Sequence, residues 1–282
     1  MTAAPARADS RALLVRPRSA IALALVSLVG VIAFGWPLLA DPDSVLAHSH
    51  DAPLLFALVM VLVLAVVLAE IADGGIDAKA IALLGVLTAV GAALRPLGAG
   101  ITGFSPVFVL IILGGRVLGR GFGFVLGALT LFTSALITGG VGPWLPFQML
   151  AAAWVGFGAG CLPRASGRRE TTMVAAYGAV AGIAYGFALN LWLWPFTQDL
   201  AGRLAYDPGA PASENLRHFL AFCVATSLGF DIPRAIGNVV LILAVGAPLM
   251  RTLRRASRKA AFATTPPRES PHTSRGPALT SR

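Results

Sequence analysis

Long runs of apolar residues recur along the whole chain, and they constrain its fold more than any other feature. Residues 20–39 form one such run without a charged side chain. At 1.5 Å per residue, a helix of about 20 residues crosses the roughly 30 Å hydrocarbon core of a bilayer. The composition agrees, because 12% of the residues are charged, whereas soluble domains carry about 25%. The sequence therefore predicts an all-α integral membrane protein.

The apolar runs predict about eight transmembrane helices, separated by charged turns or by turns rich in Gly and Pro. The predicted spans are 20–39, 52–71, 78–94, 104–115, 121–138, 144–162, 172–194 and the second part of 218–249. The last region is interrupted at 229–234, so we expect its first part to be an interfacial or partly inserted helix. A polar connection, 195–217, precedes this region.

Both ends of the chain are basic and lack hydrophobic periodicity, which predicts disordered tails over 1–18 and 256–282. A signal peptide cleaved near Ala47 is the alternative interpretation of the first apolar run. The apolar core of a signal peptide is about 7–15 residues long. The run 20–39 is longer, which favours a retained helix.

Basic residues are distributed unevenly, with four of the 22 Lys and Arg before residue 19 and eight from Arg251 onward. With eight spans, both basic ends lie on the same side of the membrane as the arginines at 116–120 and 164–169. Because basic segments stay in the cytoplasm, we expect a multi-pass protein of the plasma membrane with both termini cytoplasmic. No segment remains for a soluble nucleic-acid-binding domain, so the lipid bilayer, and not nucleic acid, is the expected surrounding.

The stretch 95–106 joins two spans and holds three glycines and two prolines, which predicts a flexible loop on the outer side. Polar and aromatic residues that are costly inside a membrane converge on that side. An aromatic belt with snorkelling arginines explains the tryptophans but not the amides within spans. We therefore expect an outward-facing site for an organic solute with several hydrogen-bonding groups. The candidate substrate-binding residues are Arg95, Phe104, Ser105, Trp144, Gln148, Asn190, Trp194, Arg234 and Asn238.

Motifs for catalysis and energy coupling are absent from the sequence. It contains no P-loop for ATP, no nucleophile–base set and no acid-rich span of the kind found in proton pumps. We expect neither enzymatic activity nor a cofactor bound by this chain. The cluster His48-Ser-His50-Asp51 could bind a metal, but loop histidines are more often solvated, so no metal site is predicted.

Small residues recur every three or four positions in three places, a spacing that lets helices approach closely in a membrane. We expect the stripe in the seventh span to serve packing, and the amide that follows it to need a partner. From the residues alone, packing inside the bundle is favoured over contact with another protein for the stripe in the third span. The stripes are Gly178, Gly182 and Gly186 with Asn190; Ala78, Ala82, Gly85, Ala89 and Ala93; and Gly115, Gly119, Gly123 and Gly127.

Several motifs follow one another in a definite order between residues 76 and 255. They are Leu94-Arg95 after an Ala-rich helix, Phe104-Ser105-Pro106, Gly114-Gly115-Arg116, Gly119-Arg120-Gly121, Pro146-Phe147-Gln148 and Arg234-Ala-Ile-Gly-Asn238 with Gly246-Ala-Pro248. In this order they resemble the substrate-binding S component of energy-coupling factor (ECF) transporters. The two N-terminal spans, within 19–75, depart from the pattern of that family.

The resemblance implies a six-helix bundle over 76–255 that binds a vitamin or related micronutrient on the outer side, under the first loop. It also implies partners, namely a transmembrane T component and two cytosolic ATPases that use the ATP. Small residues on the first helix of the bundle would contact the T component. The corresponding residues here are Ala78, Ala82, Gly85 and Ala89.

Within the family, the pattern is most similar to cobalamin-type S components of actinobacteria, which makes cobalamin or a related corrinoid the expected substrate. A cobalt or nickel uptake component is an alternative, although such components begin with Met-His and this chain begins with Met1-Thr2. A membrane scaffold or assembly protein without a small-molecule substrate is a second alternative. A stand-alone carrier is disfavoured, since no inverted repeat or intramembrane carboxylate supports it.

Overall fold

The computed structural model describes residues 17–39, 52–73, 78–98, 101–197 and 202–261, and these residues form helices and turns without a strand. The α-helices of the described part are α1 (Pro17–Leu39), α2 (Ala52–Asp73), α3 (Ala78–Leu97), α4 (Val107–Leu118), α5 (Arg120–Thr138), α6 (Leu145–Cys161), α7 (Gly167–Leu193), α8 (Ala212–Phe222) and α9 (Leu228–Ala261). Short 3₁₀ turns at Trp194–Phe196 and Gly202–Leu204 lie between α7 and α8. The predicted cluster at 48–51, the proposed cleavage site and the outermost tails fall outside the described residues.

Six helices form the bundle, and α4 lies at its centre. It contacts α3, α5, α6, α7 and α9, and its residues from Val107 to Gly115 are all buried. A helix that is apolar on every face is suited to such a position, because each side has a neighbouring helix to cover it. Around it, α5 packs against α3 and α6, and α7 packs against α6 and α9.

Glycines bring α4, α5 and α6 into backbone contact. A Cβ at Gly115 or Gly123 would overlap the carbonyl of Gly156, and a Cβ at Gly127 would overlap that of Ala152. A Cβ at Gly123 would also lie 2.6 Å from the Cα of Gly115. The close packing expected of the 115–127 stripe is confirmed, and its main partner is α6. Without a hydrophobic driving force between helices in lipid, this close approach supplies the van der Waals contact that holds them together.

The glycine stripe of α7 packs against α9. A Cβ at Gly178 would lie 2.8 Å from Ile242, and one at Gly182 would lie 3.2 Å from the amide of Asn238. At Gly186 a Cβ would overlap the carboxylate of Asp231. The stripe therefore serves packing, as predicted, and it also makes room for polar side chains of α9.

Helices α1 and α2 lie against the bundle. Helix α1 contacts α2, α6, α7 and α8, and α2 contacts α6. The ring of Phe34 packs on Phe147 and Trp154 with centroid distances of 5.1 and 5.6 Å. The indole of Trp154 donates a hydrogen bond of 3.0 Å to the hydroxyl of Ser27. The fold class is thus confirmed as an all-helical membrane protein with two helices added to a six-helix bundle.

Five helices are long and apolar enough to cross a membrane, and three shorter apolar helices accompany them in the described part. The long ones contain Ala20–Leu39, Ala78–Leu97, Arg120–Thr138, Gly167–Phe196 and Ala212–Arg258. The shorter ones are Phe56–Ala69, Val107–Leu118 and Leu145–Cys161. Together they correspond to the eight predicted apolar segments.

The predicted interruption at 229–234 is wrong. Helix α8 passes through a π-helical turn, Cys223–Ser227, directly into α9, and Pro233 lies inside α9. The π-helical turn precedes the proline and accommodates the irregular hydrogen bonding of this part of the helix. The contacts of α9 with the glycine face of α7 hold the first turns of α9 helical. The polar connection is also shorter than predicted because α8 begins at Ala212, and α9 continues beyond 255 to Ala261.

Candidate functional site

The Gly-rich loop lies folded against α9 at one end of the bundle, which we call the loop end. Gly103 has a φ of 73°, a left-handed conformation that favours glycine, and its Cα is so close to Phe230 that a Cβ would overlap the Phe230 carbonyl. The ring of Phe104 covers Gly237, where a Cβ would lie 2.9 Å from a ring carbon. Two glycines thus let the loop close tightly over the start of α9.

Arg95, at the end of α3, points toward the start of α6. Its Nη2 donates a hydrogen bond of 2.9 Å to Oε1 of Gln148. Its Nη1 is buried and has no hydrogen-bond partner among the described residues. A charged N–H without an acceptor in the interior is costly, at about 1–3 kcal/mol or more. Nη1 of Arg95 is therefore a donor that a ligand with an acceptor group could satisfy.

A second arginine, Arg234, lies in α9, across from Arg95 at the loop end. Its Nη1 donates to Oδ1 of Asp231 at 2.6 Å and to the carbonyl of Gly182 at 3.1 Å. Its guanidinium carbon lies 5.4 Å from the ring centroid of Tyr185, within the range of a cation–π contact. Its Nε is buried without a hydrogen-bond partner in the described part. Nε of Arg234 is therefore also a donor that a ligand with an acceptor group could satisfy.

Tyr185 lies beside Arg234. Its ring packs edge-on against Phe108 at a centroid distance of 4.6 Å, and the guanidinium of Arg234 lies over the ring. We call Arg95, Gln148, Tyr185, Asp231 and Arg234 the polar centre. It carries two guanidinium groups against a single carboxylate. Tyr185 was not among the predicted site residues, because the sequence does not show which side chains a tyrosine in an apolar span will contact.

Further buried polar atoms without a hydrogen-bond partner occur in the described part of the bundle. They are the hydroxyls of Thr88, Thr130 and Ser134 and the indole nitrogens of Trp36 and Trp192. Trp192 stacks near Phe147, at a centroid distance of 5.0 Å, and Phe147 adjoins Gln148 in α6. The loop end therefore has more hydrogen-bonding capacity than its own side chains satisfy.

Three predicted site residues instead join helices. Asn190 donates to the hydroxyl of Ser227 at 2.6 Å, and Asn238 donates to the carbonyl of Gly178 at 2.9 Å. Trp194 is buried and donates to the carbonyl of Leu204 at 2.8 Å. The expectation that Asn190 needs a partner is thus met within the protein. The donor nitrogens of these three side chains are thus engaged within the protein in this arrangement.

The remaining predicted residues lie at the rim. Phe104 and Ser105 belong to the closed loop and are half-buried, and the carbonyl of Ser105 accepts a hydrogen bond from the amide of Phe108. Trp144 is 43% exposed and donates to the carbonyl of Gly140 at 3.1 Å. Of the nine predicted residues, the structure brings Arg95, Gln148 and Arg234 together in the polar centre.

A second charged cluster lies at the opposite end of the bundle, which we call the basic end. Glu170 at the start of α7 accepts hydrogen bonds from Arg116 at 2.8 Å and from Arg254 at 2.6 Å. Arg116 also donates to the carbonyl of Leu162 at 2.8 Å. These contacts join α4, α7 and α9, and the sequence analysis did not identify them.

The small-residue stripe of α3 faces away from the bundle. Ala78, Ala82, Gly85 and Ala89 are all exposed, and no atom lies within 4 Å of a Cβ built at Gly85. The interpretation as internal packing, favoured by the residues alone, is therefore wrong for this stripe.

These features define an integral membrane protein whose helical bundle encloses a polar centre beneath a closed loop. A family model described as "ECF transporter, substrate-specific component" matches residues 79–246, which is more than half of the chain. The chain belongs to this family of substrate-specific components of ECF transporters. Members of the family are transporter subunits rather than enzymes, and they associate in general with a T component and ATPases.

The family match begins after α1 and α2 and overlaps all six helices of the bundle, ending within α9. Searches among curated proteins and among solved structures found no match.

Proposed function

We propose that the chain captures a vitamin-like organic micronutrient in the polar centre for uptake into the cell. The observation that carries this proposal is the pair of guanidinium groups, each with one buried nitrogen that has no acceptor in the described part. An acceptor-rich ligand group between Arg95 and Arg234 would satisfy both. Binding would then relieve the cost of burying these two nitrogens without an acceptor.

Residues 101–106 of the loop act as the cap of this site. Gly103 lies against Phe230 and Phe104 lies against Gly237, positions that precede and follow Asp231 and Arg234 in α9, so a ligand enters when these loop residues move away from α9. Hydrogen bonds within the loop are those of successive turns, such as Ile101 N to the Gly98 carbonyl at 3.2 Å. Such local turns can open while the helices of the bundle stay packed, because the loop lies outside the helices.

A corrinoid such as cobalamin is the substrate we propose to test first. Its amide-bearing periphery would find acceptors and donors in Gln148 and the two arginines. Asn190 and Asn238 are engaged with Ser227 and Gly178, so they contribute only by holding α7 and α9 in place. A ligand of this size requires the cap to be fully open.

We propose further that a T component and two ATPases supply the energy. The exposed stripe of Ala78, Ala82, Gly85 and Ala89 offers the T component a surface on which two helix backbones can approach closely. The loop end would face outward and both termini the cytoplasm, because the arginines of the short turns lie at the basic end.

Affinity purification of the full chain from native membranes tests this function. We expect a T component, two ATPases and a bound small molecule identifiable by mass spectrometry. Cyanocobalamin, titrated into the purified chain by calorimetry, tests the corrinoid assignment. Co-purification of these partners with a different organic ligand would overturn only the corrinoid assignment and leave the transport function standing. Absence of both ATPases and ligand would contradict the transport function and favour a scaffold.

A further inference from the structure

A cavity of about 630 Å³ opens at the basic end, between the start of α7 and the last part of α9. Its volume lies in the range of cavities that hold small molecules. One side is apolar and is formed by Leu243, Ala247 and Met250 of α9. The other side carries guanidinium groups. The polar centre lies at the opposite end of the bundle, so this cavity is not part of the substrate site.

Three arginines border the cavity, against one carboxylate. The side chains of Arg168 and Arg251 are exposed and make no hydrogen bond or ion pair with other described residues, while Arg254 pairs with Glu170. Glu170 is 2% exposed and also pairs with Arg116 at 2.8 Å. Its charge is therefore compensated within the protein, and the cavity presents a net positive charge to a ligand.

An apolar stripe leads from this cavity along α9 toward the middle of the bundle. Ile236, Val240 and Leu243 are 57%, 56% and 53% exposed, and with Ala247 they share one face of the helix. At 1.5 Å per residue, the distance from 236 to 247 is roughly 16 Å. That is about half of the 30 Å hydrocarbon core of a bilayer, the depth of one leaflet.

This stripe lies outside the contact between α7 and α9. In that contact, Gly178, Gly182 and Gly186 of α7 face Asp231, Asn238 and Ile242 of α9, so Ile236, Val240 and Leu243 remain exposed on another face of α9. A cationic cavity that continues into an exposed apolar stripe of leaflet depth fits a molecule with an anionic head and a long acyl chain.

We propose that this cavity binds an anionic glycerophospholipid. Arg168 and Arg251 hold the phosphate, and an acyl chain lies along Leu243, Val240 and Ile236. The shared chemistry of the head is a phosphate ester, which a soluble compound could also supply. The apolar stripe of α9 is the feature that favours the lipid, because a soluble phosphate would gain nothing from it.

The test is native mass spectrometry of the full chain, purified in detergent. The probes are dioleoylphosphatidylglycerol, dioleoylphosphatidylcholine and sn-glycerol 3-phosphate. We expect the phosphatidylglycerol to bind at least about tenfold more tightly than the other two. In the double variant Arg168→Gln/Arg251→Gln its binding should weaken roughly 30-fold, which corresponds to about 1 kcal/mol for each arginine near an anionic lipid.

The matched control is Arg255→Gln/Arg258→Gln, which removes the same charge from exposed positions of α9 outside the cavity. Its binding should stay within about twofold of the unmodified chain. An equal loss in both double variants would show nonspecific attraction and overturn the proposal. Equal binding of the two lipids, or of phosphatidylglycerol and glycerol phosphate, would also overturn it.

A variant that fills the cavity separates the contribution of its shape to lipid binding from that of the arginine charges. Ala247→Trp fills the cavity and leaves every arginine in place, whereas Val245→Trp adds the same side chain at an exposed position outside the cavity. We expect only Ala247→Trp to lower phosphatidylglycerol binding, by about tenfold or more. Unchanged thermal unfolding midpoints identify variants that remain folded. Retained binding in a folded Ala247→Trp variant would contradict occupation of this cavity.

Discussion

Arg95 and Arg234 each have one guanidinium nitrogen paired and another buried without an acceptor in the described part. The paired nitrogen fixes the side chain, through Gln148 in one case and Asp231 in the other. The unpaired nitrogen is then held in a fixed position, where the proposed ligand would find it. Preorganised donors of this kind favour a bound acceptor, since little side-chain freedom remains to be lost.

Replacing Arg95 tests its contact with the ligand. We expect Arg95→Ala to lower the affinity for the co-purified ligand about 10- to 100-fold, because hydrogen bonds to charged groups contribute roughly 1.5–3 kcal/mol. Isothermal titration calorimetry measures the change. Arg203→Ala, at an exposed position of the connection before α8, is the control and should keep the affinity. Unchanged affinity in Arg95→Ala and Arg234→Ala alike would rule out the polar centre as the binding site.

Glu170 has a structural role at the basic end. Its buried carboxylate pairs with Arg116 and Arg254, and its loss would leave two arginines without their counter-charge. Breaking a buried pair costs about 3–5 kcal/mol, and the partial exposure of Arg254 reduces this to roughly 2–3 kcal/mol.

We expect Glu170→Gln to lower the thermal unfolding midpoint clearly in detergent, as measured by circular dichroism. Glu214→Gln, at an exposed position in the first turn of α8, should leave the midpoint within about a degree. Equal midpoints for the two variants would show that the cluster does not stabilise the bundle.

At the scale of helices, glycine decides which faces meet. Helices α5 and α6 approach so closely that a Cβ at Gly156 would overlap the Gly123 carbonyl, whereas Gly85 on α3 faces open space. The same residue type therefore serves an internal contact in one helix and an accessible surface in another.

Two alanine substitutions separate these cases. Gly156→Ala should destabilise the bundle by about 1–3 kcal/mol, because backbone atoms must shift to admit the methyl group. Gly85→Ala should stabilise it slightly, by up to about 1 kcal/mol, since alanine is the better helix former. Unfolding in increasing fractions of denaturing detergent, followed by circular dichroism, measures both. A Gly156→Ala protein as stable as the Gly85→Ala protein would refute the close α5–α6 contact.

The exposed stripe of α3 makes a prediction about assembly. A bulky side chain in Ala82→Trp should reduce co-purification of the T component about tenfold, while ligand affinity stays unchanged, because Ala82 lies away from the polar centre. Val245→Trp, exposed on α9, should leave co-purification intact. Quantitative mass spectrometry of the purified complex measures the ratio. Loss of partner in the Val245→Trp protein but not in Ala82→Trp would assign the interface to α9 instead.

At the scale of the whole molecule, α1 and α2 extend the bundle on the side of α6. The contact of α1 depends on Gly30, where a Cβ would overlap Leu150 and lie 3.0 Å from Trp154. Trp36 extends the contact toward the loop end, near Phe56, Phe196 and Tyr206. These two helices thus cover α6, whose first turns carry Gln148 of the polar centre.

Gly30→Leu should separate α1 from α6 and speed proteolysis between α1 and α2, because the larger side chain cannot fit against Leu150. Gly35→Leu is the control, since the nearest atoms to a Cβ there belong to Leu39 of the same helix. Limited proteolysis followed by mass spectrometry compares the two. Equal cleavage rates would mean that the Gly30 contact does not hold α1 in place.

The sequence by itself determined the class of protein, the eight apolar segments and most helix boundaries. Segment length and hydropathy are local properties, and the bilayer requires them of any spanning helix. The loop was also predicted, and Arg95, Gln148 and Arg234 were predicted to converge on one side, because polar groups in apolar segments are costly wherever they lie.

Only the tertiary structure decided how those polar groups are used. It assigned Asn190 and Asn238 to contacts between helices, added Tyr185 to the polar centre, and kept α9 helical through Pro233. It also turned the α3 stripe outward and paired Glu170 with two distant arginines. Each of these outcomes depends on which helix faces which, and that depends on close contacts between residues far apart in the chain, which no local pattern contains.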